Sequence, residues 1–346
     1  MSDAPSVTIS IPHWRGASIL LRCLKGLRET CPESISVIVV DNGSDDGSVA
    51  VAKNEFPHIQ VLCTGRNLGF AGACNHGLAE VKSKYAVLFN NDAVPSRNWL
   101  APLIAAMESD GSIAACQPKL VSLDRPGNFD YAGAAGGFLD FLGYPFCRGR
   151  IFETIEQDHG QYDEPAEIFW ASGACCMVRM EALSRVGVFD ASFFSHMEEI
   201  DLNWRMHLAG YRIVAVPTSV VYHQAGTSLS AVSPFKTYLN HRNGLLILCK
   251  NYDRRLLWIL PMRILLDLVA AGQRLFAWQW RHAVMIFRAH WYLAVNFGNI
   301  LRARRQSRKI AAISDREMRR KLYHRSIVWQ YFAAGKKRYS DLLRPN

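Results

Sequence analysis

One segment decides the fold of this chain: residues 88–95, with the sequence LFNNDAVP. It begins at the end of an apolar run, 85–89, whose length and β-rich composition are typical of a buried strand. It then turns polar at Asn90, Asn91 and Asp92. In open α/β sheets ligands bind at the carboxyl ends of the strands, and carboxylate and amide oxygens suit Mg²⁺ or Mn²⁺ carrying a phosphate. The simpler alternative is a polar turn closed by Pro95, since Asn and Asp favour turns for unrelated reasons.

The composition bounds the class of protein. With 346 residues, 49% of them hydrophobic, the chain can bury a large core and is not disordered. Nine cysteines occur without a Cys-x-x-Cys pair. The polar N-terminus has no signal-peptide pattern, so we expect free thiols in a reducing cytoplasm.

The charge is divided unequally along the chain. Residues 1–239 hold 18 lysines and arginines against 25 acidic residues, a net −7, whereas residues 240–346 hold 22 against 5, a net +17. An acidic part that handles an anionic ligand needs a cation, and a basic part favours an anionic surface or polymer. We therefore predict a catalytic domain over 1–239 and a basic, amphipathic helical region over 240–346.

The first hundred residues alternate between strand and helix patterns. Apolar runs at 7–11, 35–40, 59–63 and 85–89 predict strands, and helices are predicted between them, one capped by Ser18 and one over 73–82. This order is typical of a parallel sheet with right-handed crossovers, and thus of the α/β class. The polar residues that follow these strands would meet at one edge of the sheet: Asp41, Arg66, Asn67 and Asp92.

Two of these loops suggest contacts to a nucleotide. Asp41 directly follows a buried strand and can accept hydrogen bonds from a base or ribose, although an ordinary Asx-rich loop is the alternative. Arg66 lies in a glycine-containing loop that can approach phosphates. The glycines are not spaced as G-x-G-x-x-G, so we predict no dinucleotide fingerprint.

A cluster of acids, Glu198, Glu199 and Asp201, stands at the start of a predicted helix over 200–208. Acids in a first helical turn offset the macrodipole, which requires no catalysis. Three acids within four residues also repel one another, so at least one pKa should be raised, as a general base requires. Farther along, His223 follows strand-like residues and is either a hydrogen-bonded structural histidine or a metal ligand.

Several motifs occur in a fixed order: IPxW at 11–14, VVDNGSxDGS at 39–48, NxGFAGxxN at 67–75, FNND at 89–92, WASGA at 170–174, EEIDLNWR at 198–205, AGY at 209–211 and VYH at 221–223. Together they resemble family 2 glycosyltransferases, and most closely their rhamnosyltransferase-like branch. The resemblance covers about residues 7–230 and implies the GT-A fold and inverting transfer from a nucleotide-sugar. Two residues depart from the family pattern: His13 stands where many members have Asn, and the metal-binding Asp-x-Asp reads Asn90-Asn91-Asp92, with one carboxylate instead of two.

The resemblance also implies a role for each matched position. Glu199 would be the general base, with Glu198 and Asp201 orienting it or the acceptor. Asp92 and His223 would hold Mg²⁺ or Mn²⁺. The donor would be bound by Pro12, Trp14, Asp41, Asn42, Arg66, Asn67, Gly72, Asn90, Asn91, Gly173 and Ala174.

From Asn240 onward apolar segments are interrupted by arginines. No uninterrupted apolar run approaches the roughly 18 to 20 residues of a spanning helix. Asp267, Arg274, Arg281 and Arg288 recur at seven-residue intervals, which predicts a single helical stripe. This pattern is typical of helices in a membrane interface, and we expect peripheral attachment to the anionic cytoplasmic face. A helical appendage packed on the catalytic domain or on a second subunit is the alternative.

Three function classes follow. The first is an inverting transferase that moves a sugar from a dTDP-, UDP- or GDP-linked donor to a glycan or lipid-linked acceptor in cell-surface polysaccharide synthesis. The second is a related nucleotidyltransferase, which would not need Glu199 as a base. The third is a non-catalytic nucleic-acid binder that uses the basic region. Because those basic residues alternate with aliphatic ones and match no reading module, we expect no nucleic-acid partner.

Overall fold

The computed structural model of the chain describes residues 6–224 and 233–343. The strands are β1 (Val7–His13), β2 (Ser36–Asp41), β3 (Gln60–Cys63), β4 (Tyr85–Phe89), β5 (Ala93–Pro95), β6 (Ile113–Ser122), β7 (Gly137–Leu139), β8 (Pro145–Cys147), β9 (Arg150–Ile151), β10 (Thr154–Ile155), β11 (Ala166–Glu167), β12 (Cys175–Arg179) and β13 (Arg212–His223). The helices are α1 (Ala17–Thr30), α2 (Ser48–Glu55), α3 (Gly69–Leu78), α4 (Leu100–Ser109), α5 (Met180–Val186), α6 (Glu198–Leu208), α7 (Pro234–Asn251), α8 (Leu256–Phe276), α9 (Trp280–Val295), α10 (Phe297–Lys309), α11 (Asp315–Lys321), α12 (Ile327–Phe332) and α13 (Tyr339–Leu343), with a 3₁₀ turn at Ala191–Phe193.

The main sheet has the strand order β11-β13-β6-β12-β4-β1-β2-β3, and β5 pairs with β13. β1 is parallel to both β2 and β4, and β2 is parallel to β3. β12 runs antiparallel between β4 and β6. The predicted mixed α/β class, with a mostly parallel sheet flanked by helices, is confirmed. A small antiparallel sheet, β10-β9-β8-β7, lies beside it.

The core explains why β4 is central. All five of its residues are buried, because β1 and β12 cover its edges and helices cover its faces. α1 buries Leu20, Cys23, Leu24 and Leu27, the apolar face that the sequence predicts.

Two predicted helix starts are wrong. α1 follows Gly16 without a side-chain cap, so Ser18 lies inside the first turn. α3 begins at Gly69 rather than at residue 73. Gly69 has φ +73°, and an added Cβ would lie 2.4 Å from the Phe194 carbonyl oxygen, so this start depends on a contact distant in sequence.

Strand β13 joins the two short strands that the sequence predicts over 214–216 and 220–222. Its parallel pairing with β6 shifts register between Val216 and Val220, a bulge that contains Pro217. Beyond the bulge it pairs with β5, where His223 is opposite Ala93. That register brings His223 beside Asp92.

The C-terminal helices pack on the sheet domain. Leu246, Ile247 and Leu248 of α7 belong to the same apolar cluster as Ile200 and Trp204 of α6. The predicted boundary at 239/240 thus falls inside one helix, since α7 begins at Pro234.

Helix α8 differs from the sequence expectation. Its 21 residues, with a mean hydropathy of 1.5, are long and apolar enough by length and composition to cross a membrane, although no such run was expected. The predicted seven-residue stripe is also wrong, because α8 ends at Phe276 and Arg281 lies on α9. Asp267, the first member of that stripe, is fully buried and forms an ion pair with Arg263 at 3.1 Å.

Candidate active site

A cavity of about 620 Å³ opens at the carboxyl ends of β1 and β4. Most of the residues predicted from the sequence line it. They are Pro12, Trp14, Asn42, Asn67, Asn90, Asn91, Asp92, Gly173, Ala174, Glu198, Glu199 and His223. The cavity therefore brings together side chains that lie more than 200 residues apart in the sequence. They come from strand ends and from the starts of α6 and β12.

Four predicted residues lie outside the cavity lining. Asp41 accepts a hydrogen bond from the Ser44 backbone N–H at 2.8 Å, and Arg66 is exposed. Gly72 lies inside α3, where an added Cβ would come within 2.6 Å of the Leu68 Cβ, so packing accounts for the glycine. Asp201, the fourth, lies on another side of α6.

A buried triad holds the metal-ligand candidates. The His223 Nε2 lies 3.0 Å from the Asp92 Oδ1, and its Nδ1 lies 2.9 Å from the Asp130 Oδ1. Burial alone would lower the pKa of His223, but the charges and hydrogen bonds of Asp92 and Asp130 raise it to about 10. A carboxylate behind an imidazole fixes its orientation, as in the outer shell of many metal sites.

The donor set fits a divalent ion that keeps other ligands. In the described part of the chain no group of three or more His, Cys, Asp or Glu side chains could hold a metal. Asp92 can supply one oxygen at the cavity wall, and His223 can supply one nitrogen there once its Nε2 has lost its proton. Mg²⁺ and Mn²⁺ commonly retain waters and substrate phosphates beside one or two protein ligands, so a set of two side chains is compatible with such an ion.

The unusual His13 orients one of the neighbouring asparagines. The Asn91 Nδ2 donates to the His13 Nδ1 at 2.8 Å, so the His13 Nε2–H must donate to the Ser48 Oγ, also at 2.8 Å. The Ser48 hydroxyl in turn donates to Asp46. Burial lowers the pKa of His13, which keeps the ring neutral as this chain of donors requires. His13 thus fixes the Asn91 amide from behind.

Two adjacent carboxyls, Glu198 and Glu199, face the cavity from the first turn of α6. The Oε2 of each has no hydrogen-bond partner within the described residues. Burial raises the pKa of Glu199 to about 7, against the backbone hydrogen bonds that lower it. Burial, and next the charge of Glu199, raise the pKa of Glu198. The predicted raised pKa is confirmed, but burial rather than mutual repulsion is its main cause.

Asp201 belongs to a buried ionic cluster instead. Its Oδ1 lies 2.9 Å from the Lys250 Nζ and accepts from the Asn251 Nδ2 at 2.8 Å, and its Oδ2 lies 3.1 Å from the Arg205 Nε. Burial alone would raise the pKa of Asp201, but Lys250 and Arg205 lower it. These contacts join α6 to α7 and keep Asp201 away from the cavity.

Comparison with known proteins identifies the family. The model of glycosyl transferase family 2 matches residues 8–187. The chain belongs to this family. It is a glycosyltransferase, and the predicted resemblance is confirmed; the nucleotidyltransferase and nucleic-acid-binding alternatives are therefore set aside.

Several relatives of this glycosyltransferase have known activities or structures. An N-acetylglucosaminyl-diphospho-decaprenol L-rhamnosyltransferase of Mycobacterium tuberculosis is 27% identical over 271 residues, 70% of this chain and 83% of the relative. The dTDP-rhamnosyl transferase RfbF of Shigella flexneri is 24% identical over 249 residues, 67% and 77% of the two chains. The mannosyltransferase PcManGT of Pyrobaculum calidifontis, solved with GDP-Man and Mn²⁺, shares the fold with a TM-score of 0.51 and 17% identity, over 92% of this chain and 86% of that one.

The cavity of this family 2 glycosyltransferase is also lined by residues that were not predicted from the sequence. They are Tyr131, Tyr144, Arg150, His196, Lys236, Asn240, His241 and Arg263. Some lie between residues 110 and 164, where the sequence has little periodicity, and others lie on α7 and α8. No local signal marks them, because only tertiary packing places the C-terminal helices over the cavity.

Proposed function

We propose that this glycosyltransferase inverts the anomeric centre as it moves a sugar from a nucleoside diphosphate donor to a hydroxyl of a lipid-linked saccharide. One observation carries the proposal: the carboxyl of Glu199 and the pair Asp92 and His223 line the same cavity. A base and a site for diphosphate charge are the two requirements of such a transfer.

The donor that the relatives favour is dTDP-rhamnose, before other dTDP-, UDP- or GDP-linked sugars. Two related proteins are named for rhamnosyl transfer, one of them from dTDP-rhamnose. In this chain Asn42 donates to the Asn67 Oδ1 at 3.1 Å and accepts from the Leu68 backbone N–H at 2.9 Å, which ties the end of β2 to the next loop. Trp14, 40% exposed at the cavity wall, offers a face for the nucleoside.

Asp92 and His223 are the residues that would hold Mg²⁺ or Mn²⁺. When bound there, the ion offsets the negative charge of the departing nucleoside diphosphate. Asp130 keeps the imidazole in position from behind at 2.9 Å. His13 and Asn91 stabilise the adjacent wall through their hydrogen bond.

Glu199 is the proposed general base. Its pKa of about 7 means that a large fraction is ionised at neutral pH yet remains basic enough to accept a proton from the acceptor hydroxyl. The acceptor oxygen attacks the anomeric carbon from the face opposite the diphosphate while its proton passes to Glu199. Burial and the charge of Glu199 raise the pKa of Glu198, which disfavours a second buried negative charge beside the base. We assign Asp201 a structural role in place of the predicted catalytic one, because its carboxylate is held by Lys250 and Arg205.

The C-terminal helices are proposed to lie on the cytoplasmic face of a membrane. Large apolar side chains on α8 and α9 are widely exposed, among them Trp258 at 77% and Trp291 at 70%, and Trp278 in the turn between the helices at 91%. Apolar exposure of this extent marks an interaction surface. The net +17 of residues 240–346 suits anionic lipid.

A transfer assay tests the proposal. Purified full-length protein with Mn²⁺ and an N-acetylglucosaminyl-diphospho-lipid acceptor is incubated with dTDP-rhamnose, UDP-glucose or GDP-mannose in separate reactions. We expect one donor to give the glycosylated lipid and free nucleoside diphosphate in equal amounts, with inverted configuration. Release of inorganic pyrophosphate instead, or a retained configuration in the product, would contradict the proposal.

A further inference from the structure

Two cations from separate parts of the chain converge on one ring in the cavity wall. The Arg150 guanidinium, on β9, lies 4.5 Å from the centroid of the Tyr131 ring, and the Lys236 ammonium, in the first turn of α7, lies 5.7 Å from it. All three residues line the cavity. Like charges held near one ring repel each other, so their placement calls for an explanation.

Arg150 is buried without a carboxylate partner. It is 7% exposed, and within residues 6–224 and 233–343 it forms no ion pair. Its Nη1 donates to the Phe152 carbonyl oxygen over a long 3.4 Å, its Nη2 donates to the Cys147 Sγ, a weak acceptor, at 3.6 Å, and its Nε has no partner among the described residues. A buried charge is normally paired, because removing it from water is costly. An anionic ligand would complete this site.

The electrostatics of Lys236 agree with that geometry. Burial lowers the pKa of Lys236; the charge of the exposed Glu153 offsets part of this, and the charge of Arg150, the smallest of the three effects, lowers the pKa further. A bound anion between the two cations would reverse the effect. Arginine and lysine together are suited to phosphate oxygens, since the guanidinium donates in a planar fork and the ammonium acts as a compact charge.

The surroundings of the pair indicate which phosphate it binds. Next to Lys236, Phe235 is 42% exposed and stacks on Tyr238 with ring centroids 6.1 Å apart. Tyr238 packs with Met285 of α9, the helix that also carries exposed Trp291. The cationic pair therefore lies between the cavity and the exposed apolar helices, where the head of a lipid would pass.

We propose that Arg150, Lys236 and Tyr131 form a diphosphate subsite for the lipid-linked acceptor, with its hydrocarbon tail directed along α8 and α9. The inference rests on the proposed transfer to a lipid-linked saccharide and names the part of the acceptor that this chain recognises. Donor and acceptor both contain a diphosphate, so the test must separate the two.

A binding experiment makes this separation and needs no turnover. Three probes are titrated in detergent micelles against the parental protein: geranylgeranyl diphosphate, geranylgeraniol without phosphate, and dTDP with Mn²⁺. The double variant Arg150→Gln/Lys236→Gln is compared with Arg97→Gln/Lys53→Gln, which also removes two positive charges but at exposed positions outside the cavity.

We expect the Arg150→Gln/Lys236→Gln variant to bind geranylgeranyl diphosphate about 10- to 100-fold more weakly, because charge-assisted hydrogen bonds are lost. Binding of geranylgeraniol and of dTDP with Mn²⁺ should stay within twofold, and the control variant should match the parent. The charge-preserving variant Arg150→Lys should recover most of the lipid diphosphate affinity, which a general folding defect would not allow.

Three results would overturn the inference. Equal weakening of dTDP and geranylgeranyl diphosphate, or competition between them, would assign the pair to the donor. Unchanged binding of geranylgeranyl diphosphate would remove the subsite altogether. If the transfer assay fails with every donor while this binding pattern holds, the proposed function is wrong and the anion subsite stands.

Discussion

Replacing Glu199 with Gln should make the protein more stable and nearly inactive at the same time. The carboxyl is half-buried at the cavity wall, and its Oε2 has no hydrogen-bond partner among the described residues. Gln keeps the size and polarity of the protonated acid but never ionises. The substitution therefore removes both the proposed base and the cost of a buried negative charge.

The size of the expected gain in stability follows from the pKa of Glu199. Burial raises the pKa of Glu199 from 4.5 to about 7, so ionisation in the folded protein costs about 3 kcal/mol more than in the unfolded chain. Because the folded pKa is the higher one, the contribution of Glu199 to parental stability is fully present below pH 4.5, is lost between pH 4.5 and 7, and stays absent above that. The Glu199→Gln variant does not undergo this loss. At pH 8 its free energy of unfolding should exceed that of the parent by about 3 kcal/mol, which corresponds to roughly 5 °C in melting temperature. Near pH 4.5 the two proteins should melt alike.

Thermal melting at pH 4.5 and pH 8 in EDTA measures the stability effect, and initial rates of transfer measure the catalytic one. The parental kcat/KM should rise with pH and level off above about pH 7, as the base loses its proton. Glu199→Gln should lower kcat by about 10²- to 10⁴-fold and leave dTDP binding unchanged. Lower stability than the parent at pH 8, or transfer at the parental rate, would refute the reasoning.

Three further outcomes are expected. Asp92→Ala should abolish the Mn²⁺-dependent gain in melting temperature with dTDP, a gain that mass action predicts for the parent; equal parental binding in EDTA would contradict the metal role. Asp201→Asn should lower the free energy of unfolding by about 3 kcal/mol, because the buried Arg205 loses its carboxylate partner and Lys250 keeps only Asp190, at 2.6 Å; lost turnover at unchanged stability would contradict the structural role. Trp258→Gln/Trp278→Gln should sediment less with anionic vesicles than the parent or a Val51→Gln control, and equal sedimentation would favour packing on a second subunit.

Local sequence signals predict the sheet and its polar edge well. The run over 85–89 is β4 as found, since five buried residues in succession require a strand that is covered on both faces. The residues that follow it line the cavity, because parallel strands align their carboxyl ends whatever the loops between them do. These features depend on neighbours in the sequence and are therefore readable from it.

The acidic cluster shows a signal that could have been used further. On a helix, residues 199 and 201 project about 200° apart, so Glu199 and Asp201 cannot both face one cavity. The i, i+4 pair of Asp201 with Arg205 indicates which of them is structural. The sequence does not show that burial, more than repulsion, raises the pKa of Glu199.

The position of the C-terminal helices at the cavity could not be predicted from periodicity, because it depends on the contacts of one buried side chain, that of Arg263. Arg263 of α8 is 2% exposed, bonds to the Leu142 carbonyl at 3.1 Å, and lies 3.9 Å from the centroid of the Tyr144 ring. Gly244 of α7 allows this approach, since an added Cβ would come within 2.7 Å of the Arg263 guanidinium.

The same helix forms a wall of the cavity and an exposed apolar surface. Arg263 lines the cavity, whereas Leu265, two residues along α8, is 62% exposed. Asp267 fixes Arg263 at 3.1 Å and His241 of α7 at 2.9 Å, so the cavity wall and the apolar face are held as one unit. A lipid that contacts this face is therefore already beside the cavity. If the acceptor is lipid-linked, as proposed, transfer to its headgroup would require no release of the acceptor into water, which would account for the exposed apolar face beside the cavity.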